Sequence, residues 1–400
     1  MRLFLIGWFG AGNMGDEAIL VSMIVSIRQT LPGVQFDVLS FGDAVNSSLP
    51  LAQSAGVNFV RMGSRSRVWC SDFQGFWRAL RLADLVVIGG GGLFQDLYNP
   101  YPVPFFTATA LLAKLLGKRV MFYALGIGPL HRRWARWLTR LAAKVADLIT
   151  TRDAESAALL EKLGLQRQMY ITADPVLLLP PVSSELAAQI LAKERCQDRS
   201  PRIGVSVHSL LAWGMEQKRA LAGALDCMIN AMNAQIVFIP FGCYHDQWIR
   251  PGVSRTIDRM ASEDIAALMT REFIVLAGHY TPQEMLAIIG QMDLVLSMRF
   301  HGLVMAVNMG VPPIALTHRC EMKLRNFMKR LEQEDNVLEV NTVSQDDLFD
   351  RMRHVLTNKE QLRLDLRGQA ERLKDQAREN VLLLSKLLAN ERSGNEGNQL

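Results

Sequence analysis

The feature that most constrains this 400-residue chain is a rhythm. Short apolar runs alternate with longer helical patterns, and several of the joints are glycine-rich. Leu3–Gly7, Gln35–Ser40, Leu85–Ile88, Val120–Ala124, Asp147–Thr151 and Tyr170–Thr172 read as strands, with helical patterns between. Apolar strands that alternate with helices fold as a parallel sheet covered on both faces. Leu179-Pro180-Pro181 interrupts the series, and a second one follows: Ile203–Val207, Gln235–Pro240, Phe273–Leu276, Leu294–Ser297 and Pro313–Leu316. The expected layout is an N-terminal α/β domain over 1–180 and a second over 181–358, the two facing a cleft. A charged amphipathic helix is expected over 359–390 and a flexible tail over 391–400.

Composition narrows the function classes. Hydrophobic residues make up 49% of the chain and charged ones 21%, ordinary globular values with ample material for two cores. The formal charge of +5 is a mild excess. It suits an anionic substrate or an anionic lipid surface and gives no separate reason to expect nucleic acid. The five cysteines, at 70, 196, 227, 243 and 320, include no C-x-x-C pair. Free thiols in a reducing compartment fit better than disulfides or zinc. The N-terminal run reads as a first strand rather than a signal peptide, and Val103–Leu116 is too short to span a bilayer. A cytoplasmic protein is expected, peripheral at the inner face of the membrane in one reading.

Three glycine loops follow strands of the first domain. Gly10-Ala11-Gly12-Asn13-Met14-Gly15 has the G-x-G-x-x-G form of a dinucleotide loop. The helix behind it, however, opens with Asp16 and Glu17, two carboxylates where a pyrophosphate would need to sit. Asn13, Asp16 and Glu17 are better suited to neutral hydroxyls such as those of a sugar; the bland alternative is a tight turn with helix capping. Gly89-Gly90-Gly91-Gly92 removes every side chain at a strand end, just before Asp96. Such a run costs backbone entropy, and it admits either a ligand beside Gly91 or a tightly packed helix. Gly126-Ile127-Gly128-Pro129 is the third.

Cations gather elsewhere. Arg152 ends a strand, either facing the cleft or pairing locally with Asp153. Arg299 and His301 stand between a strand and a helix N-terminus, a natural anion site. From Ser297 to Cys320 there is no Asp or Glu, while Arg299, His301, His318 and Arg319 all fall there and Lys323 follows. Arginine in such a segment binds carboxylate or phosphate bidentately.

Taken in order, these pieces resemble the polysaccharide pyruvyl transferases. The matching segments are Gly12-Asn13-Met14-Gly15-Asp16-Glu17-Ala18-Ile19-Leu20, Gly89–Gly92 with Asp96, Gly126-Ile127-Gly128-Pro129, Thr151-Arg152-Asp153-Ala154-Glu155-Ser156, Ala173-Asp174-Pro175 and Ser297-Met298-Arg299-Phe300-His301-Gly302. The resemblance implies an α/β fold of two Rossmann-like domains, glycosyltransferase-B-like. It implies phosphoenolpyruvate as donor co-substrate and a sugar of a cell-surface polysaccharide or its precursor as acceptor, lipid-linked in one reading. It also implies an Arg, a His and a Lys that hold the donor, carried here by Arg152, His301 and Lys323. The segment Thr317–Lys323 departs from the family pattern, which makes Arg319 a rival to Lys323. Arg152 and His301 are the expected catalytic residues, with Arg299 beside them at the donor. Asn13, Asp16, Glu17, Gly91 and Asp96 are expected at the acceptor. No metal and no further cofactor is expected.

Two other readings compete. One is a nucleotide-sugar glycosyltransferase of the same fold; the acid-free stretch after Ser297 speaks against its retaining members. The other is a membrane-associated partner, suggested by residues 131–144. There Arg132, Arg136, Arg140 and Lys144 recur every fourth residue, with Trp134, Trp137, Leu138 and Leu141 assigned to another face. That pattern fits a surface-seeking helix; it also fits a crossover helix that buries its tryptophans and solvates its arginines.

Overall fold

The computed structural model describes residues 1–41, 54–61, 72–97, 101–208, 214–242, 257–318 and 321–396. The chain divides into two compact units. Unit 1 comprises Met1–Ala11, Asp16–Leu178 and Leu373–Leu400, and unit 2 comprises Gly12–Gly15 and Leu179–Arg372.

Unit 1 runs β1 (Arg2–Ile6), α1 (Met14–Thr30), β2 (Gln35–Ser40), β3 (Val57–Arg61), α2 (Phe73–Leu82), β4 (Leu85–Phe94), α3 (Pro102–Leu115), β5 (Arg119–Ile127), α4 (Arg133–Val145), β6 (Leu148–Thr151), α5 (Ala154–Lys162) and β7 (Tyr170–Ile171). The strands form one seven-stranded sheet in the order β3-β2-β1-β4-β5-β6-β7, and every pair is parallel. Helices cover both faces of such a sheet, so the central strands read as unbroken apolar runs. Leu3, Phe4, Leu5 and Ile6 of β1 are all fully buried, as are Leu85 to Ile88 of β4.

Unit 2 runs α6 (Ser184–Lys193), β8 (Arg202–Ser206), α7 (Met215–Met232), β9 (Gln235–Phe238), α8 (Ile257–Ala266), β10 (Phe273–Val275), α9 (Pro282–Gly290), β11 (Leu294–Ser297), α10 (Phe300–Asn308), β12 (Pro313–Thr317), α11 (Met322–Arg330), β13 (Val337–Glu339) and α12 (Gln345–Thr357). Its six strands are again all parallel, in the order β10-β9-β8-β11-β12-β13. Both orders reverse direction next to the first strand of the unit. That reversal makes a crevice at the strand C-termini, where ligands of open α/β sheets bind.

The last helix, α13 (Lys359–Glu396), belongs to unit 2 as far as Arg372 and to unit 1 from Leu373. Its Asn380 is fully buried in unit 1: the side-chain oxygen accepts from Thr150 Oγ1 (2.5 Å) and Thr172 Oγ1 (2.9 Å), and the amide donates to the Ala173 carbonyl (3.2 Å). The helix passes the expected end at 390 because the segment to Glu396 holds no proline and only Gly394 to interrupt it. Residues 397–400 of the expected tail lie outside the described residues.

Two strands were not expected, β3 and β13. Both are outermost strands with largely half-exposed or exposed side chains, so neither shows the apolar run of a central strand. The four glycines form no loop after a strand. They lie within β4, where Gly90 and Gly91 take φ of +75° and +97° and the register against β5 shifts between Gly91 and Phe94.

Candidate functional site

In unit 1 the glycine motifs and the charged motifs fit into one another. A Cβ on Gly89 would strike β5 at Tyr123, and one on Gly90 would strike Ile19 of α1. These two glycines therefore serve the close approach of neighbouring elements. A Cβ on Gly91 would lie 3.3 Å from Asp16 Oδ1, so the bare backbone there faces the first turn of α1. Glu17 is buried and turns back on its own loop, accepting from the Gly10 amide at 2.7 Å. Asp96, expected at a sugar, anchors the start of α4. It is buried, and its oxygens accept from the His131 and Arg132 amides, both at 2.7 Å.

Arg152 is 7% exposed. Its guanidinium lies 3.4 Å from Asp174 and 3.6 Å from Asp153. It occupies the space that the absent side chain of Gly126 leaves, since a Cβ there would lie 2.7 Å from it. Asp174 also caps the short turn Pro175–Leu178 by accepting from the Val176 amide at 3.0 Å. Asp153 caps α5 through the Ser156 amide (2.7 Å), and the Ser156 hydroxyl accepts from the Ile127 amide (2.9 Å). Three of the sequence motifs are thus one hydrogen-bonded assembly at the ends of β5 and β6.

Unit 2 is built differently. The ladder places Ser206 of β8, Ser297 of β11 and Ala315 of β12 at one level. Two residues further along, the same strands lead to His208, Arg299 and Thr317, with His318 next. His301 stands in the first turn of α10, and Lys323 in the first turn of α11. The C-terminal edge of three adjacent strands therefore gathers His208, Arg299, His301, His318 and Lys323.

Their surroundings differ. Arg299 is not a ready donor clamp: its Nε donates to Asp258 at 2.9 Å, and its Nη2 bonds the other carboxylate oxygen. Asp258, in α8, also accepts from the Phe241 and Gly242 amides at 3.1 Å. The stretch that is free of acids in sequence thus receives an acid from 41 residues upstream. Lys323 has a side chain 40% exposed and lies 3.6 Å from the buried Glu321. Arg319 lies outside the described residues.

His208 was not anticipated. It is 2% exposed. Burial, and then the charges of Arg299, Lys323 and His318, hold its imidazole pKa well below the ordinary histidine value. The available signal was its offset: it stands two residues past Ser206, as Arg299 stands two past Ser297. His318 is also buried. Desolvation lowers its pKa against the opposing pull of Glu321 and a hydrogen bond with Asn341. Among the described residues, His318 Nε2 and the level Ser206 Oγ are buried polar atoms with no hydrogen-bond partner. Native interiors leave few such atoms, and a ligand or water is a usual explanation.

His301 is held by an unexpected neighbour, Gly15. Gly12–Gly15 belong to unit 2, where Met14 donates to the Phe241 carbonyl (2.8 Å) and Asn13 bridges to Gly242. A Cβ on Gly15 would collide with His301 Nδ1. Asn13 caps α1 by accepting from the Gly15 amide at 3.1 Å, which is the capping role weighed from sequence.

A groove of about 760 Å³ lies along the edge strand β10, separated from β11 by β9 and β8, and takes in none of these residues.

Twin parallel sheets in this order are the fold of glycosyltransferase-B-like enzymes and epimerases. UDP-GlcNAc 2-epimerase from Neisseria meningitidis, bound to UDP-GlcNAc, superposes with a TM-score of 0.61 at 12% identity, covering 96% of this chain and 100% of that one. A ugt transferase from Siraitia grosvenorii in complex with UDP gives 0.58 at 12% identity, covering 97% and 99%. The E. coli ADP-heptose lps heptosyltransferase II gives 0.52 at 13%, covering 90% and 100%.

Within that fold class the sequence signature described as Polysaccharide pyruvyl transferase matches residues 13–319, and the chain belongs to that family of polysaccharide-biosynthesis transferases. It is also similar to the amylovoran biosynthesis protein AmsJ of Erwinia amylovora, 22% identical over 90% of this chain and 94% of that protein.

Proposed function

We propose that the protein transfers the pyruvyl group of phosphoenolpyruvate to two hydroxyls of one sugar, forming a cyclic ketal and releasing phosphate. The observation that carries this reading is the cluster at the C-terminal edge of β8, β11 and β12. Phosphoenolpyruvate presents a carboxylate and a phosphate, about three negative charges near neutral pH. The cluster offers cationic Lys323, three histidines, and the buried Ser206 hydroxyl and His318 Nε2 as polar groups that a ligand would satisfy. Neutral His208 can donate or accept a hydrogen bond without adding a buried charge.

The chemistry needs an acid, a base and charge stabilisation. A proton added to the methylene carbon makes C2 electrophilic. One sugar hydroxyl attacks C2 and gives up its proton; phosphate then leaves, and the second hydroxyl closes the ring. Of the two hydroxyl protons, one balances the new methyl group and the other leaves with phosphate. His301, in the first turn of α10, is assigned as the acid, or as the group that stabilises the departing phosphate, because an imidazole can donate a proton or a hydrogen bond. In unit 1, Asp16 beside the bare Gly91 backbone is assigned to the sugar hydroxyls. Arg152, fixed by Asp174, is assigned to the donor on the strength of the family resemblance. The free thiols of Cys196 and Cys227 support a reducing, cytoplasmic setting.

The test is phosphate release from phosphoenolpyruvate with and without a mixture of simple and lipid-linked sugars. Acceptor-dependent release, with a mass gain of one pyruvate ketal on the sugar, is the expected result. No release, together with thermal stabilisation by a nucleotide sugar but not by phosphoenolpyruvate, would move the reading to a glycosyltransferase.

A further inference from the structure

Helix α4 reverses the usual arrangement of a crossover helix. Its buried face is made of small residues, Ala135, Thr139, Ala142 and Ala143, whereas Trp134 and Trp137 are 42% and 61% exposed. At 3.6 residues per turn, Trp137 shares a face with Arg133, Arg140 and Lys144, at spacings of four, three and seven. The tryptophans are therefore not turned inward opposite the arginines. Trp137 stands among the cations.

The neighbouring helix α3 packs on α4, with Thr107 Oγ1 donating to the Leu138 carbonyl at 3.3 Å. Near its C-terminal end it leaves Leu112 and Leu115 exposed. Between Asp96 and Asp147 the chain has eight Lys or Arg and no Asp or Glu. Some of these cations are engaged locally: Arg132 pairs with Asp96, Lys114 with Asp147, and Arg136 donates to the Leu130 carbonyl. Arg133, Arg140 and Lys144 are exposed and enter no ion pair among the described residues.

We propose that the outer face of α4, with exposed Leu112 and Leu115 of the neighbouring α3, docks unit 1 on an anionic lipid bilayer. Two exposed tryptophans within a field of cations have the chemistry of a membrane interface, where the indole ring sits at headgroup level and the cations meet acidic lipid. A self-association face would not concentrate one sign of charge, which repels across a two-fold axis. Among the described residues no helix is long and apolar enough to cross a membrane, so the contact is peripheral. The proposal does not depend on the donor chemistry.

The experiment is co-sedimentation of the full chain with vesicles of pure phosphatidylcholine and of phosphatidylcholine with phosphatidylglycerol, over a range of salt. Binding is expected to the anionic vesicles only, and to weaken with salt. Each cation near an anionic surface is worth about a fivefold factor in partitioning. Arg133→Ser with Arg140→Ser should therefore weaken binding by about 25-fold. Trp134→Ser with Trp137→Ser should abolish the salt-resistant part. All these positions are exposed, so circular dichroism of each variant should match the parent. No binding to anionic vesicles, or binding that these variants leave unchanged, would overturn the proposal. So would a concentration-dependent dimer that Trp137→Ser dissolves, because the face would then be an interface between copies.

Discussion

The two units use the same sheet topology and opposite strategies at their strand ends. In unit 1 the charged groups of the motifs are matched from within: Asp96 by two backbone amides, Arg152 by Asp174, Glu17 by the Gly10 amide. In unit 2 the strand ends collect cations and histidines around buried polar atoms that the described protein does not satisfy, Ser206 Oγ and His318 Nε2. The first edge is matched largely by its own carboxylates and amides, with bare backbone at Gly91. The second gathers cations and histidines at the ends of three adjacent strands. Motif residues are therefore of two kinds, and substitution should separate them: in unit 1 a loss should appear first in stability, in unit 2 first in turnover.

The largest expected effect is on His301. Removal of a positioned acid costs typically 10²–10⁴-fold in rate, so His301→Ala should reduce ketal formation by about that factor. Its thermal midpoint should stay close to the parent's, since the ring is only partly buried. Gly15→Ala probes the same histidine from behind. Alanine normally favours a helix over glycine, yet here its Cβ must displace the His301 ring. A displacement of about 1 Å can cost about 100-fold in turnover. The expected outcome is a folded protein with kcat much reduced and donor KM changed less; unchanged kcat would mean that the Gly15 contact does not set the ring.

Arg152→Ala tests the other half of the comparison. Removing one partner of a buried pair leaves the other charge uncompensated, typically at about 3–5 kcal/mol. Asp174 is that partner, and its remaining Val176 bond cannot replace a cation. The variant should therefore unfold at clearly lower denaturant, and any loss of activity must be judged against that. The double variant Arg152→Ala with Asp174→Asn should recover part of the stability. If it also recovered activity, Arg152 would be scaffold alone. Lys323→Ala should raise the donor KM; because it removes an ion pair of the buried Glu321 but at a side chain 40% exposed, its cost in stability should be smaller than that of Arg152→Ala.

The alternation that defines the fold was legible because central parallel strands must be apolar throughout. Strands such as Gln35–Ser40 and Leu294–Ser297 stand where their sequence placed them. The edge strands β3 and β13 lacked that signature. Single residues were legible as chemical types but not as partners. Asp258 reaches Arg299 from α8 and Asp174 reaches Arg152 from beyond β7, separations that no local pattern reports. The acid-free window after Ser297 was real in sequence and was filled in space. Glycines carried the opposite ambiguity. Gly89 and Gly90 make room for protein, Gly126 makes room for a guanidinium, and Gly15 makes room for a histidine; one residue type stands for three different neighbours. On α4 the every-fourth-residue spacing located the cations but put the tryptophans on another face; the small residues packed beneath the helix decide which side faces out.

The smallest effect expected is on His208, and its sign follows from linkage. The folded pKa lies well below the ordinary value of about 6.5, so the unfolded chain takes up a proton that the folded one refuses. Stability contributed by neutral His208 is complete above about pH 6.5 and is lost as pH falls below it. His318 is shifted the same way and adds to the slope. His208→Asn keeps a hydrogen-bonding side chain and removes one titration. Its stability should therefore fall less steeply than the parent's between pH 7 and pH 5, as read by denaturant midpoints across that range. If neutral His208 also hydrogen-bonds the donor, Asn should preserve most of the activity at neutral pH, whereas His208→Ala should raise the donor KM. Equal activity in both variants, with only the acid slope altered, would assign His208 to the scaffold. The contrast between the two edges would then rest on His301, Lys323 and the buried Ser206 and His318 atoms.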